Sequence, residues 1–340
     1  MQARIVLKIN TSFSNWSELL SGVPQGSVLG PLLFNIYIND LFYQIDNTYP
    51  CNFADDTTLS GVDLSLEMLL FNLESDTLSA IIWFENNFMK LNEDKCHFLV
   101  SGNIHEHLWI KAGSELIWES SEEKLLGIII DKNLNFNSHL KKLCKKASGK
   151  VSALARVAKL LPFFRRRMLL KSFVESQFSY CPLVWMFCSR QMNRKINHIH
   201  ERALRLTYDD YTASFEELLK KDKSVSIHHR NLQHLATEMY KVKNDLALES
   251  IKNLFEQTEA SSSRLGSSFV RPKVSTVNKG LNSLRNFGPV LWNTMLPRKY
   301  KSCSCLNDFK NLIKSWIPDN CVCTLCKTYV PGLGYANISV

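Results

Sequence analysis

Gly22-Val-Pro-Gln-Gly-Ser-Val-Leu-Gly-Pro31 and, further along, Phe53-Ala-Asp-Asp56 decide how this chain is read. Asp55 and Asp56 are adjacent carboxylates between two apolar segments, 49–53 and 57–60, that read as short strands. Two hard oxygen donors on a tight turn suit a divalent metal engaged in phosphoryl transfer. An isolated Asp-Asp also occurs in plain hairpin turns and helix caps. The companion loop, rich in glycine and proline and leading into an apolar helix, favours the metal reading. Pro31 sits where that helix is expected to begin, and residues 32–38 are so apolar that the sequence predicts a buried helix.

Working outward, the chain has 340 residues, 45% of them hydrophobic and 21% charged, as in globular proteins. Its net charge of +9 is unevenly spread. Residues 1–140 hold 7 Lys and Arg against 18 Asp and Glu, whereas residues 141–210 hold 16 against 4. An acidic lobe followed by a basic one is expected when one part holds metal cations and the other tracks phosphates. Two ordinary solvated surfaces are the other reading. No apolar run nears the roughly 20 residues that span a bilayer, and the N-terminus lacks a signal-peptide core. Cysteines at 51, 96, 144, 181 and 188 are scattered. They suggest reduced thiols in an intracellular protein of nucleus or cytoplasm, not a secreted one, with no membrane partner.

The pattern predicts a hairpin over residues 3–20, a helix over 64–90, and strands over 96–101 and 125–130. From residue 140 the spacing turns helical, with Leu140, Leu143, Ala147, Val151 and Leu154 on one face. Lys141, Lys142, Lys145 and Lys146 lie on the other, and Pro162 ends the run. A second helix carries Arg165, Arg166 and Arg167, and a third covers about 191–206. Residues 257–283 read as loop. Lysines and arginines on helix faces bind phosphates without reading sequence, so these seven cations are the candidate nucleic-acid contacts. A plain solvated face is the alternative.

In order and spacing these segments resemble the polymerase core of non-LTR, LINE-type, jockey-like retrotransposon reverse transcriptases. Residues 22–41 resemble the family's motif B, Phe53-Ala-Asp-Asp56 motif C, Leu91-Asn-Glu-Asp-Lys95 motif D, and Leu125-Leu-Gly127 with Ile130-Asp131 motif E. The resemblance implies an α+β fold: a partial right-hand palm over 1–139, a basic helical thumb over 140–210, and a C-terminal extension with a Cys-rich end over 211–340. It also implies RNA-directed DNA synthesis on an RNA template and DNA primer, with dNTP substrates and two Mg²⁺ ions. Asp55 and Asp56 would be the metal carboxylates, with Phe53 and Ala54 beside the substrate. Pro24, Gln25 and Gly26 would lie along template and nucleotide, Lys95 near the triphosphate, and Gly127 at the primer end.

The family's third carboxylate, in motif A upstream of motif B, has no counterpart here. The first aspartate is Asp40, and the only acid before Gly22 is Glu18. The expectation is therefore a 5′-truncated reverse transcriptase, inactive alone, with an uncovered apolar face where the motif A strand would pack. A non-catalytic RNA- or DNA-binding module built on the basic helices is the alternative function. Cys303, Cys305, Cys321, Cys323 and Cys326 could supply a tetrahedral Zn²⁺ site, although their spacing is irregular and reduced thiols are the other reading.

Overall fold

The Asp-Asp turn closes a two-stranded antiparallel hairpin. The computed structural model describes residues 4–6, 8–18, 22–23, 26–102, 107–257 and 269–318. The chain divides into two units, residues 1–123 and 124–340. The described residues are a mixture of helices and small antiparallel sheets.

In the first unit, β1 (Arg4–Ile5) pairs with β4 (Ser17–Glu18), and β2 (Lys8–Ile9) with β3 (Ser12–Phe13). This is the expected hairpin, turning at Asn10 with φ 54°. Helix α1 (Gly30–Ile38) carries proline in its first turn, where a missing N–H costs nothing. The Ser27 hydroxyl accepts from the Gly30 N–H at 3.0 Å and so ties the loop to the helix start. The hairpin of β5 (Tyr49–Phe53) and β6 (Asp56–Ser60) follows, then α2 (Leu66–Asn86), capped by Ser65. Strands β7 (Trp109–Ala112) and β8 (Glu115–Trp118) form another hairpin. The predicted strand over 96–101 is reduced to a single bridge, Phe98 to Glu119.

The expectation of a buried first helix is wrong. Leu32, Leu33, Ile36 and Tyr37 are exposed, Ile36 by 63%. Only Gly30 and Ile38 are buried on this helix. The reason is the size of its support. Ile38, Leu41 and Ile45 pack on Ala80 and Trp83, with Phe34 and Leu59 at the margin, and this small cluster covers only one end of α1. On α2, Leu78 and Ile82 are also exposed.

The chain passes between units through a hairpin of β9 (Glu122–Leu125) and β10 (Ile128–Asp131). The predicted continuous strand over 125–130 is instead interrupted by a turn at Leu126, φ 46°, and Gly127, φ 88°, with Ile128–Asp131 forming the returning strand. The second unit is helical: α3 (Asn137–Val157), α4 (Phe163–Leu169), α5 (Pro182–Trp185), α6 (Arg190–Tyr208), α7 (Phe215–Asp222), α8 (Ile227–Lys243), α9 (Glu249–Lys252), α10 (Leu284–Val290), α11 (Arg298–Lys301) and α12 (Leu306–Ile313). One hydrophobic core runs from Leu140 to Trp316. The sequence boundary at residue 210 therefore falls inside a shared core. Within it Tyr240 and Phe309 stack, 4.4 Å between ring centroids, and Trp292 and Phe309 stack at 6.4 Å. No helix among the described residues is long and apolar enough to cross a membrane.

Candidate active site and nucleic-acid interface

Alternation along the β5–β6 hairpin decides what its carboxylates face. Phe53 pairs with Asp56 and Asn52 with Thr57. Successive strand residues point to opposite faces, so Tyr49, Cys51, Phe53 and Asp56 share one side. That side is exposed, Phe53 by 65%. Asp55 occupies the turn with Ala54, whose φ is 55°. Both carboxylates are exposed, and neither has a hydrogen-bond or ion-pair partner among the described residues. On the opposite side the polar side-chain atoms of Asn52 and Thr57 are buried and unpartnered. Orphaned polar atoms are uncommon in folded proteins.

A carboxylate on α2 fixes where the hairpin starts. Asp76 is 1% exposed. It accepts from the backbone N–H of Asn47 at 2.9 Å and of Thr48 at 2.7 Å, from the Thr48 hydroxyl at 2.8 Å and from the Asn47 amide at 2.9 Å. Tyr49 is the next residue. Burial pushes the Asp76 carboxyl up, but these hydrogen bonds outweigh it and hold the group below its ordinary value. Its signal in the sequence was a lone acid three residues after Leu73 and four before Ala80, on an otherwise apolar stripe.

The other predicted positions are spread out. Gly26 is exposed at φ 82°, a conformation that favours glycine; Pro24 and Gln25 lie outside the described residues. Lys95 ends a short 3₁₀ turn, exposed and not paired with Asp55 or Asp56. Gly127 sits in the β9–β10 turn, whose Leu126 carbonyl accepts from the Tyr180 hydroxyl at 2.6 Å. The donor chemistry of Asp55 and Asp56 fits a hard cation such as Mg²⁺, but their number falls short. Among the described residues no group of three or more His, Cys, Asp or Glu could hold a metal. Cys303 and Cys305 are free thiols, and the Cys305 sulfur accepts from the Asp308 N–H; Cys321, Cys323 and Cys326 lie outside the described residues.

The basic helices sort the seven predicted cations. Lys141, Lys142, Lys145 and Lys146 are all exposed on α3, a helix with no acidic residue. Burial, then the charges of Lys142 and Lys146, hold the His139 imidazole below its ordinary value. Arg165 is exposed. Arg167 is instead committed inward: its Nε donates to the fully buried Asp222 carboxylate at 2.7 Å, which also accepts from the Tyr208 hydroxyl at 2.9 Å. Arg166 donates to the Leu206 carbonyl at 3.3 Å. Helix α6 adds exposed Arg190, Arg194, Lys195 and Arg202, which the sequence reading passed over. Their hydrophilic spacing opposite Ile196, Ile199 and Ala203 was the available sign.

Residues 2–130 match the sequence profile of the family described as reverse transcriptase (RNA-dependent DNA polymerase). The chain is 24% identical over 220 residues to a probable RNA-directed DNA polymerase from transposon BS of Drosophila melanogaster. That match takes in 61% of this chain and 24% of the relative. It is 26% identical over 150 residues to the RNA-directed DNA polymerase from mobile element jockey of the same fly, 42% of this chain and 16% of the relative. A type-1 retrotransposable element R1 Pol polyprotein of Nasonia vitripennis is 23% identical over 176 residues, 48% of this chain and 43% of the relative. The chain thus spans a quarter or less of the two fly relatives. No solved structure matches it. Residues 2–130 are thus similar to the reverse transcriptase family. Among the proteins it is similar to are the RNA-directed DNA polymerases of the jockey mobile elements of two Drosophila species.

Proposed function

We propose that residues 1–139 form part of a polymerase palm, that 140–210 act as its thumb, and that 211–340 are a C-terminal extension, in a protein descended from an RNA-directed DNA polymerase. The observation that carries this reading is the exposed, unengaged Asp55–Asp56 pair on a hairpin tip inside a segment of reverse transcriptase sequence. Asp55 and Asp56 would hold Mg²⁺, which when bound activates a primer hydroxyl and stabilises the departing pyrophosphate. Ala54 keeps bulk away from a substrate at the turn. Pro24, Gln25 and Gly26 lie along template and dNTP, and the Lys95 ammonium offsets triphosphate charge. Gly127 lets the β9–β10 backbone approach the end of a DNA primer on its RNA template.

Two carboxylates are fewer than a two-metal site uses, and ligands that act as a unit lose most of the rate when one is missing. The 340-residue polypeptide alone is therefore expected to extend a primer on an RNA template no faster than its Asp55→Ala variant, in Mg²⁺ or Mn²⁺. Mn²⁺ should still bind weakly at the turn. Selective paramagnetic broadening of resonances from residues 53–57, absent in Asp55→Ala/Asp56→Ala, would show this. Extension by the unaltered polypeptide would overturn the inactivity; Mn²⁺ broadening unchanged in the double variant would overturn the metal role.

The exposed lysines of an acid-free α3 favour a second reading, a non-catalytic module that binds RNA or DNA. Affinity should then fall linearly on a logarithmic salt scale. Replacing Lys141, Lys142, Lys145 and Lys146 by alanine should reduce that slope by about 3, at roughly 0.7 per single-strand phosphate contact. An unchanged slope would remove these lysines from the interface.

A further inference from the structure

We propose that Tyr180 is a positioning residue for a primer end: it holds the β9–β10 turn in the shape that brings the Gly127 backbone to the terminal nucleotide. The proposal deepens the reading of Gly127 as the primer-end contact and rests on it. Leu126 and Gly127 form a two-residue turn between paired strands, with φ 46° and 88°. Two positive φ values in succession mark a type I′ turn, whose twist matches that of the flanking strands. Asparagine enters the first of these positions readily. Leucine does not, because its Cβ crowds the following carbonyl. Leu126 gains little from packing in return, since it is 41% exposed. A residue held in such a conformation persists where its surroundings over-determine it.

The Tyr180 side chain supplies that constraint. Its hydroxyl donates to the carbonyl of Leu126 itself at 2.6 Å, across 54 residues of chain. Its ring lies beside the next residue: a Cβ on Gly127 would be 3.7 Å from Cε1 of Tyr180. Tyr180 is 54% exposed, so filling the core does not explain its place. It is anchored in turn. Its carbonyl accepts from the indole of Trp185 at 3.2 Å, and Trp185 is buried in the helical core. Further along the hairpin, the Ile129 N–H donates to Nδ1 of His139 on α3 at 3.4 Å. The hairpin is thus fixed to the unit that carries the basic helices, at its tip by Tyr180 and lower down by His139. A primer end asks two things of such a turn. One is a backbone free of side-chain bulk, which Gly127 gives. The other is a fixed place relative to the cations that hold the rest of the strand, because small displacements of a bound end are costly. Tyr180 supplies the second, acting through residues 126 and 127 and touching no reacting group.

The test uses the full chain and a DNA primer ending in 4-thiothymidine, annealed to an RNA template. Irradiation and mass spectrometry map the residues crosslinked to the terminal base, and fluorescence anisotropy follows affinity for the same duplex. In the unaltered chain the terminal base should crosslink within residues 125–128. Tyr180→Phe keeps the ring and removes the donor. It should speed amide exchange at Gly127 and Ile128 about fivefold, the equivalent of one net hydrogen bond. It should cut the crosslink by a similar factor, while duplex affinity, set by the lysines of α3, and the melting temperature stay the same. Leu126→Asn in the Tyr180→Phe chain should restore the crosslink, because asparagine adopts this turn without help. A merely structural tyrosine would not be rescued from a second, exposed position. A crosslink unchanged in Tyr180→Phe would overturn the positioning role, as would a loss that Leu126→Asn does not restore. No crosslink to the turn in the unaltered chain, with the duplex still bound, would overturn the primer-end reading of Gly127 and the proposal together. Faster exchange in Tyr180→Phe would then leave Tyr180 as a brace of the turn and nothing more. Failure to bind the duplex at low salt would overturn the nucleic-acid reading as well.

Discussion

Asp76→Ala is expected to loosen the hairpin that presents Asp55 and Asp56, with a cost near 3 kcal/mol to its local stability. The carboxylate is buried and receives the N–H groups of Asn47 and Thr48 together with both their side chains. Alanine removes every one of those acceptors at once. A buried donor left without a partner costs about 1–3 kcal/mol, and two of these donors belong to the backbone. The cluster of Ile38, Leu41, Ile45, Ala80 and Trp83 is small and has little surplus to offset the loss. Amide hydrogen exchange across β5 and β6 should accelerate by about two orders of magnitude, at 1.4 kcal/mol per tenfold. Exchange in the helical core around Leu140, Leu204 and Trp292 should be unchanged, since those residues belong to the other unit. Unaltered protection of residues 49–60 would show that Asp76 does not anchor the hairpin.

The physics behind Asp76 also explains what the sequence disclosed and what it hid. The motif hairpin was legible because its turn and its alternating strands are local: Tyr49–Phe53 and Asp56–Ser60 lie where the residue pattern puts them. Helix α3 was legible for the same reason, its apolar and basic faces repeating at helical spacing. The exposure of α1 was not, because an apolar helix reads as buried whatever surface exists to receive it. The β7–β8 hairpin was passed over, its pairing of Trp109 with Trp118 being a register and not a composition. Arg166 and Arg167 show the same limit. In the sequence they are indistinguishable from Arg165, yet a buried aspartate 55 residues away claims Arg167. The pairing of a charge depends on tertiary neighbours that no local pattern names.

Glu175→Ala is expected to lower the melting temperature of the helical unit by roughly 10 °C. Glu175 lies at the core edge, between the buried His200 and Arg230: Nε2 of His200 is 3.1 Å from one carboxylate oxygen, and an Arg230 nitrogen 3.0 Å from the other. Removing one member of such a group leaves uncompensated charge in a poorly solvated place, which costs about 3–5 kcal/mol. In a domain of this size each kcal/mol moves the midpoint by about 2–4 °C. Glu175→Gln keeps a hydrogen-bonding side chain without the charge and should lose less. Acid should act along the same route. Burial raises the Glu175 carboxyl, but the His200 hydrogen bond and the charge of Arg230 outweigh it and hold the group below its ordinary range. A carboxyl with a depressed folded value releases its proton more readily in the native state. Its contribution is complete above the unfolded value, about 4.3, and is lost as pH falls through the folded value beneath it. The stability of the unaltered helical unit should therefore be flat in this respect at neutral pH and decline below about pH 4, and Glu175→Ala should decline less steeply there. Denaturant unfolding followed by far-UV circular dichroism across that range measures both slopes. Parallel slopes would mean that the charge of Glu175 does not stabilise the fold.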